Sequence, residues 1–343
     1  MKLEERIVLF SKLGEYLLVN QGTEEYKEIL FSAKLKNAWF TLDNIQNAID
    51  NIILNFLKES ELRNFISSYP ASYFDPIITK KIGLIAAGNL PLVGFQDLLH
   101  IILSGNIALY KASSQDEVLI LYFMKILNSF NSEISDYLKI VDKLNDADAI
   151  IATGSGNSSR YFEYYFASKP HIIRKNRTSI AVLDGSENKI QLGNLGGDIL
   201  NYFGLGCRNV SKLFVPKGYI FNTFFESIEF WNIIRMHSKY NNNYDYMKAI
   251  YLVNQVQHLD NGFLLLKEDK TLNSPISVLF YEEYETLDLL NEKLVGIKDN
   301  LQVVVSENDT IKNKVDFGKS QTPRLNDFAD SVDVIVFLQG IKS

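Results

Sequence analysis

IGLIAAGNLPLVGFQDLLHIILSGNIALY, residues Ile82–Tyr110, carries one formal charge, Asp97, along its whole length. It divides into a buried strand (IGLIAA), a turn (GNLP), a helix (VGFQDLLHIILS) and a second buried strand (NIALYK). Continuous apolar strands joined through a helix form a βαβ unit, the building block of a parallel sheet, so the fold class is α/β. His100, inside the apolar run LLHIIL, reads as a core or helix-face residue. Asn89 lies just past the carboxyl end of the first strand, where open α/β sheets place their ligands. Its side-chain amide can donate to a developing oxyanion, or it can serve the turn, which Asn, Gly and Pro favour; the position fits both.

Toward the carboxyl terminus, Lys111 ends the second strand and SSQDE, from Ser113, opens a helix with Ser or Asp as its cap. A lysine at a strand end reaches a ribose or phosphate, or lies in solvent. Ala147–Thr153, ADAIIAT, is a third buried strand, followed by GSGNSSRYFEYYF. Gly154 and Ser155 thus stand between a strand and a helix, where backbone N–H groups and the helix dipole meet a pyrophosphate, although neither GxGxxG nor GK[ST] is present. Three strand ends then converge on one crevice. HIIRKNRTSIAVLDG, residues 171–185, reads as a basic hairpin-like or loop segment followed by a strand, with Arg174, Lys175 and Arg177 either solvated or available to anionic groups.

The only cysteine, Cys207, follows a Gly-Leu-Gly turn in NYFGLGCRNVSKLFVP, residues 201–216. The segment before it reads as helix to Phe203 and VSKLFVP as a strand ending at Pro216, with Gly204 and Gly206 expected to take positive φ beside the sulfur. A lone cysteine is more often a small buried residue than a nucleophile. Residues 1–66 show helical spacing, with Ile45, Ala48, Ile49, Ile52 and Ile53 on one stripe. Beyond Pro216 come a helix around FNTFFESIEFWNII, a turn at NNNY, a second helix and strands near GFLLLKE, SVLFYEE and LQVVVS. VDVIVFL near the end reads as a short strand.

The 343 residues, 46% hydrophobic and 22% charged, suit two domains with substantial cores. The expected division is 1–170, helical region plus nucleotide-binding domain; 171–320, a second α/β domain with Cys207; and 321–343, a tail returning to the sheet or a subunit interface. An active-site crevice between the two domains is expected. Net charge is −6 and no basic cluster interleaved with aromatics stands out, which argues against nucleic acid. The start MKLEERIVLF lacks the pattern of a signal peptide, and no run reaches membrane-spanning length, so a cytoplasmic protein is expected. One cysteine forms no intramolecular disulfide, and the four histidines share no metal-ligand spacing.

In order along the chain, GNLPLVGF, LYKASS, ATGSGNSS, SIAVLDG, GLGCRNVSKLFVP and the tail FGKSQTPRLNDFADSVD resemble the aldehyde dehydrogenase superfamily, specifically its LuxC-type acyl-CoA reductases. The resemblance extends over about 82–343. It implies a Rossmann-like cofactor domain, a catalytic α/β domain, an oligomerising element and hence a homo-oligomer, acting on acyl-CoA with a nicotinamide cofactor. By the same resemblance Cys207 attacks the thioester, Asn89 with the Cys207 N–H stabilises the oxyanion, Lys111 binds the adenosine ribose with Ser113 and Ser114 beside it, and Gly154 with Ser155 covers the pyrophosphate. Three departures carry information. The segment matching the family's ELGGK, whose glutamate activates water in hydrolytic members, is IIRKNRTS, with Arg174 near the glutamate's place, leaving Arg174 or Lys175 to meet CoA phosphates. GSxxxG ends in Ser159. Ser114 stands where NAD-selective members often carry an acid, so NADPH is expected as cofactor, with NADH possible. The competing readings are an aldehyde dehydrogenase working oxidatively and a catalytically silent homologue that binds a nucleotide or a partner.

Overall fold

The structure, a computed structural model, describes residues 1–154, 156–175 and 177–341. The chain forms two compact units, Met1–Asn176 with Pro323–Ser343, and Arg177–Thr322. Among the described residues no helix is long and apolar enough to cross a membrane, and no group of three or more His, Cys, Asp and Glu could hold a metal ion.

The first unit opens with helices α1 (Leu3–Asn20), α2 (Glu24–Lys36), α3 (Leu42–Ile52) and α4 (Glu59–Ser67), a π-helical turn at Ile53–Leu57 linking the last two. The apolar stripe of α3 is buried as its spacing requires. There follow β1 (Lys81–Ile85), α5 (Phe95–Leu103), β2 (Ile107–Lys111), α6 (Glu117–Phe130), α7 (Ile134–Tyr137), β3 (Leu138–Ile140), β4 (Ala149–Thr153), α8 (Gly156–Tyr165) and β5 (His171–Arg174). The five strands lie in the order β3-β2-β1-β4-β5, all parallel. Strand order therefore reverses between β1 and β4. In an open parallel sheet the loops leaving the carboxyl ends at such a reversal splay apart and leave room for a ligand.

The second unit holds β6 (Thr178–Val182), α9 (Lys189–Leu200), β7 (Val210–Pro216), α10 (Asn222–Ile228), α11 (Ser238–Val253), β8 (Leu259–Asp260), β9 (Leu265–Glu268), β10 (Val278–Tyr284), α12 (Leu287–Ile297), β11 (Leu301–Val305) and β12 (Lys314–Val315). Its seven-stranded sheet runs β12-β11-β6-β7-β10-β9-β8, with only the edge pair β8/β9 antiparallel. The chain then returns to the first unit, where α13 (Val334–Gln339) packs.

Three local expectations are corrected. Residues 171–185 are no hairpin: β5 pairs with β4 in the first sheet, and β6 with β7 and β11 in the second. VDVIVFL is a helix, not a strand. Asp333 caps it by accepting the Val336 N–H at 3.1 Å and is held by the Tyr69 hydroxyl at 2.9 Å, while Val334, Ile335 and Leu338 are buried in the first unit's core. Burial at about 1.5–3 kcal/mol per large apolar side chain outweighs the β-preference of Val and Ile. NNNY lies inside α11, where Asn243 donates to the Lys239 carbonyl and Asn241 to Asp245, so the amides bond along the helix instead of turning the chain.

Candidate active site

At the carboxyl edge of the first sheet, Ile85 of β1 pairs with Lys111 of β2 on one side and with Ala152 of β4 on the other. Asn89, exposed, sits on the bend that follows β1. Lys111 and Ser114 are exposed and Ser113 is half-buried, so the three residues expected to meet a ribose lie at the neighbouring strand end. The Ser113 hydroxyl accepts the Gln115 N–H at 3.3 Å, which closes the turn entering α6. Gly154 leaves β4 directly before α8; Ser155 lies outside the described residues. Bare backbone is needed at both loops. A Cβ on Gly88 would stand 2.2 Å from Ser113 Oγ, and one on Gly154 would stand 2.8 Å from Ser158 Cβ and 3.0 Å from the Phe162 ring. Loops packed this tightly present main chain to a ligand, which is what a dinucleotide phosphate requires, so the residues fit such a group.

Asp116 was expected as one of the possible helix caps. It stands at the N-cap of α6 but makes no capping bond, and its Oδ2 instead accepts the Leu92 N–H at 2.7 Å. Burial pushes its carboxyl up to about 8, against the lowering effect of that N–H.

Cys207 is exposed, on a turn at the amino ends of β6 and β7. α9 starts at a capping box between Asn188 and Gln191 and stops at Leu200. The next residues take left-handed backbone: Tyr202 at φ 52°, Phe203 at 61° and Gly204 at 74°. Gly204 thus behaves as expected, and the same conformation falls on the two aromatics before it. Such angles cost a non-glycine residue about 1 kcal/mol or more, and buried side chains hold them there. Both rings are buried, and Phe203 lies 4.1 Å from the His237 ring and 6.1 Å from that of Tyr240.

The turn is braced from beneath by Asn209, 3% exposed, a residue the sequence reading passed over. Its Oδ1 accepts the Gly206 N–H at 2.8 Å. Its Nδ2 donates toward the carbonyls of Asp198, Ile199 and Asn201 at 3.2, 3.4 and 2.8 Å, the loose ends of α9. The one available signal was its spacing, an Asn closing a Gly-x-x-Asn turn. Ser179 donates to the Cys207 carbonyl at 2.9 Å from β6. Buried Asp198 accepts the N–H groups of Gly318 and Ser320 at 2.6 and 2.9 Å, and Arg208 donates to the Ser320 carbonyl at 3.2 Å. Burial raises the Asp198 carboxyl despite these bonds. Cys207 is therefore exposed on a turn whose backbone is held by hydrogen bonds with Ser179 and Asn209.

Arg174 does not reach outward to phosphates. It is buried, with one guanidinium nitrogen on Asp97 and another donating to the Ala329 carbonyl at 2.6 Å. Lys175 stays exposed, its ammonium 3.1 Å from Glu163. His100 is a core residue: its Nε2 donates to the Leu325 carbonyl at 3.1 Å, its ring stacks on Phe65, and burial lowers it to about 4, so it stays neutral.

The profile of the family described as acyl-CoA reductase (LuxC) matches residues 10–221. It takes in the N-terminal helices and ends soon after β7, a different extent from the 82–343 read from motifs. No curated protein matches the chain. Among solved structures the chain is similar to aldehyde dehydrogenase 21 from Physcomitrella patens in complex with the reaction product succinate, with a TM-score of 0.69 and 12% identity over 96% of this chain and 82% of that one. It is also similar to an NAD+ complex of an aldehyde dehydrogenase from Bacillus cereus, with a TM-score of 0.63 and 14% identity over 90% and 73% of the two chains. A third is the aldehyde dehydrogenase KauB from Pseudomonas aeruginosa, with a TM-score of 0.64 and 14% identity over 89% and 72%. The fold is that of the aldehyde dehydrogenases, and with more than half of its sequence matched by the profile, the chain belongs to the LuxC acyl-CoA reductase family of oxidoreductases.

Proposed function

We propose that this protein reduces fatty acyl-CoA thioesters to aldehydes with NADPH, through an acyl group carried on Cys207. The observation that carries the reading is the exposed thiol on its braced turn, in a chain of this family. The Cys207 thiolate adds to the thioester carbonyl, and the oxyanion so formed is assigned to the Asn89 amide and the Cys207 N–H. Collapse breaks the carbon–sulfur bond to CoA, which leaves as thiolate and takes up a proton. A bound nicotinamide supplies the hydride for the reduction that follows. Cys207 then departs from the resulting thiohemiacetal as its proton is lost and the aldehyde forms. The balance is acyl-CoA, NADPH and one proton giving aldehyde, CoA and NADP+.

Lys111, Ser113 and Ser114 would hold the adenosine ribose, and Gly154 with Ser155 the pyrophosphate at the start of α8. An exposed Ser114 in place of a carboxylate tolerates a 2′-phosphate, which favours NADPH. Arg174 supports the reductive direction. The residue near the place of the hydrolytic glutamate is a buried cation bound to Asp97, and it cannot act as a base on water. An acyl-enzyme without that base survives until it is reduced.

Intact-protein mass after mixing with a panel of acyl-CoAs tests the proposal. The expected result is a mass gain equal to the acyl group, absent in Cys207→Ala and discharged by NADPH. No adduct at any chain length refutes it.

A further inference from the structure

We infer that Asn37 and Asp116 are positioning residues that clamp the Asn89 turn from both sides and preset its amide for the oxyanion. The inference rests on the role proposed above for Asn89. On the near side, Asn37, 4% exposed at the end of α2, donates its Nδ2 to the Gly88 carbonyl at 2.8 Å. Its own Oδ1 is fixed by the Trp39 N–H at 2.9 Å, so the amide has one orientation. On the far side, Asp116, 5% exposed, accepts the Leu92 N–H at 2.7 Å. Leu92 is buried with φ at 56°, a left-handed angle that L side chains adopt only under constraint.

A structural role alone explains Asp116 poorly. Its Oδ1 has no hydrogen-bond partner among the described residues, and burial pushes the carboxyl up to about 8, with the buried Tyr110 phenol as a titratable neighbour that is also pushed up. The chain thus keeps an acid in a costly place, and the hydrogen bond its side chain accepts among the described residues comes from a strained residue three positions past Asn89. The geometry also ties two ligand loops together. Asp116 ends the turn that carries Ser113 and Ser114, and Gly88 lies against Ser113 so closely that a Cβ would collide with it. Any shift of the ribose-side turn is passed to Asn89.

The test is the single-turnover rate of Cys207 acylation by tetradecanoyl-CoA, read by intact mass without nicotinamide. Asn37→Ala and Asp116→Ala are expected to lower the maximal rate about 10–100-fold, toward that of Asn89→Ala, with half-saturation unchanged within about threefold. Asp116→Asn restores the rate, because its carboxamide oxygen accepts the same N–H. In an Asn89→Ala background, Asp116→Ala adds nothing further; an independent structural defect would add its full effect. Hydrogen exchange over residues 86–95 is measured in parallel and is expected to quicken in both alanine variants but not in Asp116→Asn. A wild-type rate in folded Asp116→Ala, additive losses, or unchanged exchange overturns the inference. If the wild-type protein forms no adduct with any acyl-CoA of the panel, the proposed function falls by itself, and the exchange data still decide whether the clamp exists.

Discussion

Replacing Asp116 with Asn should make the first unit more stable at alkaline pH, and the size of the gain follows from the carboxyl's surroundings. Burial holds its folded value up to about 8, whereas an unfolded chain ionises it near 4. Between those values the folded state keeps a proton that the unfolded state has released. Stability therefore falls as pH rises from about 4 to about 8, and is level on either side. Four pH units correspond to about 5 kcal/mol at most, because an ionised buried carboxylate draws in water or opens its loop before the whole penalty is felt. Asn keeps the acceptor for Leu92 and does not titrate. The difference in unfolding free energy, variant minus wild type, should accordingly climb by about 2–5 kcal/mol between pH 4.5 and 8.5. Urea unfolding followed by Trp39 fluorescence in a Trp231→Phe background reads the first unit, since Trp39 lies within it. A difference that stays flat across this range would show that Asp116 ionises as freely folded as unfolded, and the burial argument would be wrong.

Asn209→Ala strips the bond to Gly206 and leaves α9 carbonyls unpaired; it should cost about 2–4 kcal/mol of stability in the second unit and change the rate of Cys207 alkylation by iodoacetamide, and unchanged values for both would show that the turn needs no brace. Arg174→Met should destabilise the first unit by about 3–5 kcal/mol by leaving Asp97 buried and unpaired, with most of the loss recovered in Arg174→Met/Asp97→Leu. The half-saturating acyl-CoA concentration of the folded double variant should match wild type, and a large rise would return Arg174 to a phosphate-binding role. Gly88→Ala should weaken dinucleotide binding about tenfold or more in calorimetry by pushing on Ser113. Affinity unchanged by Gly88→Ala would refute the tight packing of the two loops.

What the sequence made legible was whatever short-range pattern carries. The run at Ile82–Tyr110, whose single formal charge, Asp97, falls in the helix, predicts β1, α5 and β2, because strands covered on both faces must be apolar throughout. VSKLFVP gives β7 with both ends correct, since Pro216 cannot extend a central strand. Errors arise where the local pattern and the tertiary partner disagree. VDVIVFL has the residues of a strand, yet Tyr69, 264 positions away, fixes the capping carboxylate of a helix. The basic stretch around Arg174 looks like a solvated loop because its acidic partner, Asp97, lies 77 residues earlier.

The candidate site divides along the same line. Residues whose chemistry is visible in their type and position, Cys207, Asn89 and Lys111, can be nominated from a strand end or a glycine turn. Those that orient them cannot, because an Asn or Asp is ordinary anywhere and acquires meaning only from its partner. Asn37 lies 51 residues from Gly88 and Asp116 lies 24 from Leu92, and neither pairing leaves a trace in local periodicity. Asn209 is two residues past Cys207, and even there the decisive fact is that its amide reaches back to the end of α9. The strained angles at Leu92, Tyr202 and Phe203 follow from the same cause, since leucine and aromatic residues carry no local preference for left-handed backbone. Distant side chains impose it, and they do so next to Asn89 and Cys207, the residues proposed to act on the acyl group; in an active site, misplacing a reacting group by about 1 Å costs about a hundredfold in rate.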